Sequence, residues 1–149
     1  MRKLEIIKFQ PEHMIELYKS GFVEGGLGTI DQEICWANAR AAGGPAYTGK
    51  YEGKVIGCGG VSLYWPGVGQ AWAVYPNWVT KFKREAFAYT KKGLDIILTD
   101  HEIWRVEAYC RADYAKYGRF LEHLGFRRIC EISKFCPDKK NAYLYEIVR

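Results

Sequence analysis

The chain has 149 residues, 48% of them hydrophobic and 26% charged, which is the range of one globular domain with its own core, expected here over residues 1–149. No apolar run approaches the roughly 18 residues that cross a bilayer, and the opening MRKLEIIKFQ alternates with charge where a secretory leader carries an apolar centre; a soluble, unprocessed cytoplasmic protein is expected. The formal charge of +5 is too small an excess to define a nucleic-acid binder by itself.

Leu4 to Phe9 alternates apolar and charged side chains, as a half-buried strand does. Pro11 suits the first turn of a helix, whose apolar stripe Met14, Ile15 and Tyr18 ends at Gly21. Gly25 to Gly28 reads as a loop, and Asp31 is placed to cap a second helix running to about Ala42 and closed by Gly43, Gly44 and Pro45. Ala46 to Tyr51 and Val55 to Leu63 are strand-like runs joined at Glu52-Gly53, and Trp65-Pro66-Gly67 turns the chain into a third strand, Gly69 to Tyr75. Thr80 is placed to cap a long helix carrying Phe87, Thr90, Leu94, Ile97 and Leu98 at three- and four-residue intervals. Trp104, Val106, Ala108 and Cys110 then alternate with Arg105, Glu107, Tyr109 and Arg111, giving a strand with two different faces. Asp113 is placed to cap a last helix, Gly125 to end it in a left-handed conformation, and Arg128 to Cys136 and Ala142 to Val148 to close the chain as a hairpin.

Five cysteines are spread along the chain without Cys-x-x-Cys or a histidine at ligand spacing, so reduced thiols and no metal site are expected. Basic residues crowd two segments, Lys81 to Lys92 and Arg127 to Lys140, which either attract phosphates or form solvated faces.

Helices clustered at both ends of a strand meander argue an α+β domain with a central mixed sheet. This element order, together with FLEHLGFRRI from Phe120 to Ile129, resembles the GNAT N-acyltransferase superfamily, whose helix end is often written Tyr-Glu-x-Leu-Gly-Phe. IGCGG, AWAVY, the basic loop after it and the Trp-bearing strand are similar to a divergent branch found in tailed bacteriophages, which includes an internal virion protein of short-tailed phages. The resemblance implies acetyl-CoA (CoA) as cofactor and an amine acceptor, small molecule or protein, as partner, and a homodimer is compatible with it; the lack of a long apolar run argues against a membrane partner, and the small basic excess, outside any recognised motif, disfavours nucleic acid. For a phage-encoded protein the setting would be the host cytoplasm. A non-catalytic phage component of this fold, in the virion or directed at a host target, is the alternative reading.

Mapped onto this chain, the resemblance implies that Ala73, Val74 and Tyr75 flank the pantetheine arm and that Thr80, Lys81, Phe82, Lys83 and Arg84 receive the pyrophosphate, where helix amides and cations favour an anion. The family's Gln/Arg-x-x-Gly-x-Gly/Ala loop is replaced by Pro76-Asn77-Trp78-Val79-Thr80-Lys81-Phe82-Lys83-Arg84. Asp113 and Tyr114, at the start of the last helix, complete the expected cofactor-binding set. Leu121 stands where family members carry a tyrosine acid, so the hydroxyl of Tyr117 or of Tyr114 is the candidate acid, Tyr117 being favoured because it shares a helix face with Leu121. Glu107 is the candidate base, acting directly or through water, and is equally consistent with a solvated ion pair.

Overall fold

The computed structural model describes residues 4–20, 23–24 and 30–149; the expected Gly25 to Gly28 loop lies outside the described residues. The elements are β1 (Leu4–Lys8), α1 (Pro11–Ser20), β2 (Val23–Glu24), α2 (Ile30–Gly43), β3 (Ala46–Tyr51), β4 (Lys54–Trp65), β5 (Val68–Pro76), a 3-10 helix (Asn77–Phe82), α3 (Lys83–Asp100), β6 (Arg105–Arg111), α4 (Ala115–Leu124), β7 (Arg127–Ile132) and β8 (Ala142–Val148). Seven strands form one mixed sheet in the order β1-β3-β4-β5-β6-β8-β7, and β2 pairs with Tyr75 and Pro76 of β5. Only β5 and β6 are parallel neighbours in that row, and α3 is the crossover such a pair requires.

Local chemistry fixes the hairpins. Glu52 and Gly53 both take positive φ (50° and 79°), the geometry of a tight two-residue turn between β3 and β4. At the next turn Gly67 has φ 89°, and a Cβ there would lie 1.9 Å from the Trp104 ring, so both the backbone and the indole above it demand glycine.

The strand period of two separates the sheet into two faces. Val55, Cys58 and Val74 face α1 and α2, packing with Phe9, Met14, Leu17 and Ala37. Val61, Val106, Ala108 and Tyr145 face α3 and α4, packing with Ile97, Leu98, Leu124 and Phe126. α1 and α2 rest mainly on β4 and β5. As a result the α1/α2 face at β6, β8 and β7 carries side chains such as Arg105, Glu107 and Glu146, tied to one another by ion pairs.

At the end of α4 Gly125 adopts φ 106°, its N–H and that of Phe126 return to Glu122 and Leu121 carbonyls, and Phe126 drops into the core. The helix starts differ from the expected caps. α2 begins at Ile30, which puts Asp31 inside the first turn. α3 begins at Lys83 with Phe82 at the cap, because residues 77–82 wind as a 3-10 helix whose Phe82 ring packs on Tyr51 and Trp78; Thr80 lies within that turn. α4 has Tyr114 at its cap, because the Asp113 carboxylate is drawn to Arg111 at 3.1 Å. No described helix is long and apolar enough to cross a membrane.

Candidate active site

The site begins with a failure of pairing. β5 and β6 are in register only at Val68/Arg105, Gly69/Val106 and Gln70/Glu107. Past that point each strand stays with its outer neighbour, β5 with β4 as far as Val74/Cys58 and β6 with β8 as far as Arg111/Ala142. The two central strands therefore separate in a wedge, and the inner edge of β5 over residues 71–74 offers peptide groups to a guest chain. The parting starts near the beginnings of both strands, well before Tyr75 and Cys110.

On the α3/α4 side the wedge opens into a cleft of about 810 Å³, a volume typical of small-molecule sites. Ala73, Tyr75, Ala108, Cys110, Tyr117 and Leu121 are among its lining residues. The Tyr75 ring lies so close to β4 that a Cβ on Gly57 would come within 2.8 Å of it, and its hydroxyl is hydrogen-bonded to Thr90. Burial pushes that hydroxyl up to about 12, which makes Tyr75 a wall rather than a proton donor of ordinary strength. Burial likewise pushes the Cys110 thiol up to about 11 and the Cys58 thiol up to about 12, so neither supplies a thiolate at neutral pH. All five cysteines are free, and no group of His, Cys, Asp and Glu among the described residues is arranged to hold a metal.

The mouth of the cleft is cationic. α3 starts there, with no side chain capping its first amides, and Thr80, Lys83 and Arg84 border the opening. A helix start without a side-chain cap, beside two cations, is a setting that favours an anion. Lys116 and Arg119 of α4 line the cleft as well.

The residues singled out from the sequence divide into three groups. Ala73, Tyr75, Thr80, Lys83, Arg84 and Tyr117 border the cleft. Val74 is buried on the other face with Phe9 and Leu17, Lys81 is exposed, and Phe82 is spent on Tyr51 and Trp78. Asp113 is held by Arg111, which also brings Asp138 in at 2.7 Å, and Tyr114 leans on Tyr117 with ring centroids 5.2 Å apart. These last five lie outside the cleft lining.

Glu107 projects from the α1/α2 face at the apex of the wedge. Its Oε2 is 2.8 Å from the Arg105 guanidinium, and the Tyr64 hydroxyl donates towards its Oε1 at 3.3 Å and towards Gln70 Oε1 at 3.4 Å. Burial and the neighbouring Glu107 and Tyr109 push the Tyr64 hydroxyl well above the usual phenol range. Tyr109 stands beside them and stacks on Phe135. Tyr64, Gln70 and Phe135 went unnoticed in the sequence, where only strand alternation around Tyr64 and Gln70 hinted at a shared face. Tyr117 and Glu107 thus occupy opposite sides of the sheet, whose strands β5 and β6 are unpaired beyond Gln70 and Glu107.

No protein-family model and no curated protein sequence matches the chain. Solved structures do match its fold. Ard1 from Thermoplasma volcanium is similar with a TM-score of 0.76 at 16% identity, over 97% of this chain and 97% of that one. An acetyltransferase of the GNAT family from Bacillus anthracis gives 0.71 at 17% identity, over 97% and 94%. The putative acetyltransferase yncA from Salmonella typhimurium, solved with its cofactor acetyl-CoA, gives 0.74 at 12% identity, over 98% and 94%. The seven-strand mixed sheet with four α-helices is the GNAT acetyltransferase fold.

Proposed function

We propose that this chain is an N-acyltransferase that moves an acyl group, in the simplest case acetyl, from acyl-CoA to a primary amine. The observation that carries the reading is the parting of β5 from β6 after Gln70 and Glu107. It supplies a strand edge for an extended amide chain, a cationic mouth for phosphates, and an opening to the opposite face where an amine can arrive.

The pantetheine arm, itself an amide chain, fits the free edge of β5 over residues 71–74 as an added strand. Its pyrophosphate falls to the first amides of α3, with Lys83 and Arg84 alongside. Without glycines to let the backbone curl around the phosphates, the side-chain cations carry more of the attraction here.

Aminolysis then divides between the two faces. The amine nitrogen attacks the thioester carbonyl carbon, forming the C–N bond as the carbonyl electrons move to oxygen. When the tetrahedral adduct collapses, the C–S bond breaks and the departing thiolate takes the Tyr117 hydroxyl proton. Glu107, on the acceptor side, takes the proton lost by the amine, directly or through water. Solvent returns the tyrosine proton and takes the one held by Glu107, which restores both groups and completes the cycle.

The reading is tested by incubating the protein with acetyl-CoA and a panel of primary amines, following free thiol and the acetylated product by mass spectrometry. Equal appearance of thiol and amide supports it. Thiol without amide marks a hydrolase, and absence of both above the uncatalysed rate refutes transfer.

A further inference from the structure

We propose that the α1/α2 face at the wedge apex is the acceptor site and that it takes an arylalkyl monoamine, a primary amine on a short tether from an aromatic ring. The inference rests on the acyltransferase reading.

Position comes first. Gln70 and Glu107 form the last register pair before the strands part, so a nucleophile beside them is as near the passage as this face allows. The Tyr64 hydroxyl ties both side chains together from β4.

Ring surface comes second. Tyr109 and Phe135 stack with centroids 4.7 Å apart and planes 10° from parallel, while Tyr64 is 45% and Phe135 41% exposed. Phe135 is not on a loose loop. The segment joining β7 to β8 is pinned by Asp138 to Arg111 at 2.7 Å, and the Asn141 side chain bonds both the Lys134 N–H at 3.0 Å and Glu131 at 2.8 Å. Rings fixed this way attract an aromatic flank by stacking and a nearby ammonium through their faces.

Charge comes third, and it decides the class of amine. Among the described residues, the two carboxylates at the wedge apex are already matched: Glu107 to Arg105, and Glu146 to Arg105 at 2.9 Å and Arg127 at 3.2 Å. A polyamine needs spare carboxylates for its second and third ammonium groups, and along this surface those groups would meet guanidinium instead. One ammonium near Glu107 and one ring against Phe135 and Tyr64 match what the face offers.

The test measures initial rates at saturating acetyl-CoA for 2-phenylethylamine, propylamine, spermidine and a short peptide with an N-terminal alanine. The expected kcat/KM for 2-phenylethylamine exceeds that of each of the others by about tenfold or more. Phe135→Ala should cut the preference over propylamine by about tenfold and leave KM for acetyl-CoA in place, with Phe135→Leu as a second variant should the loop yield. Preference for spermidine, propylamine or the peptide overturns the proposal, as does a preference that neither variant moves. Thermal protection by acetyl-CoA, measured in parallel, separates the two claims. If acetyl-CoA binds and 2-phenylethylamine is not favoured, the acceptor inference alone falls; if acetyl-CoA does not bind, the acyltransferase reading falls and takes the inference with it.

Discussion

Gly118→Ala is a sharp probe of how α4 is seated, because two rules give opposite signs. At an ordinary interior helix position the change gains about 1 kcal/mol from backbone propensity. Here the new Cβ would lie 2.5 Å from the Tyr145 hydroxyl oxygen, and Tyr145, with no exposed surface, cannot swing aside. Overpacking costs about 1–3 kcal/mol, and a contact this short against a buried ring takes the upper part of that range, about 2–3 kcal/mol, so the net expectation is a loss of about 1–2 kcal/mol, or ~2–8 °C in Tm for a chain of this size. Removing the hydroxyl changes the outcome. In a Tyr145→Phe background the next atom, Cζ, is 3.5 Å from the added methyl, which is ordinary contact. Alanine at 118 should then stabilise by about 1 kcal/mol, and the cycle should show coupling of about 2 kcal/mol or more. Urea unfolding of the four proteins, followed by circular dichroism, measures all the terms. Because Tyr117 adjoins Gly118, the single mutant should also lose turnover that the double mutant recovers. If alanine stabilises both backgrounds equally, the contact between Tyr145 and α4 is not as described.

Three further outcomes follow from particular groups. His13 Nδ1 accepts the Gln10 N–H at 3.1 Å and lies 2.8 Å from Thr48 Oγ1, and burial, followed by the charge of Lys50, holds its pKa below the usual value. The unfolded chain thus takes up the proton first as pH falls, so this contribution to stability is whole above about pH 6.5 and is lost below it, with a slope of at most about 1.4 kcal/mol per pH unit. Urea midpoints at several pH values should show that slope in the wild type and a flatter one in His13→Gln; equal slopes contradict the assignment. Paired substitution Lys83→Glu and Arg84→Glu should weaken CoA binding about tenfold or more and leave pantetheine, which lacks the pyrophosphate, unaffected in the same thermal-shift assay. Tyr117→Phe should lower kcat about tenfold or more with acetyl-CoA affinity within about twofold, and an unchanged rate would make Tyr117 a packing partner of Tyr114.

Much of the scaffold was legible because local rules and tertiary packing agree in it. The Glu52-Gly53 turn, the Pro66-Gly67 turn, the alternation from Arg105 to Arg111 and the Gly125 stop each name their own conformation. The helix starts misled, because Asp113 and Thr80 look like caps to any local rule, whereas Asp113 is drawn back to Arg111 two residues before it and the turn holding Thr80 is set by the Tyr51 surface, distant in sequence. The cleft was legible in part. Residues beside a recognisable strand end, such as Ala73 and Tyr75, do border it, whereas the point at which β5 and β6 part depends on pairing with β4 and β8, which no single segment encodes. The group of Tyr64, Gln70, Glu107 and Phe135 was invisible for the same reason: sheet register and a pinned loop bring together side chains from four separate segments.

The central claim, that the wedge between β5 and β6 receives acyl-CoA, is tested most directly by amide hydrogen exchange with and without saturating acetyl-CoA. Slowed exchange at residues 71–74 of β5 and at the first turn of α3 from Lys83, with other regions little changed, is the predicted result, since a bound amide chain and pyrophosphate would occupy those N–H groups. Unaltered exchange at both segments in the presence of millimolar acetyl-CoA, or protection confined to another part of the molecule, would contradict it.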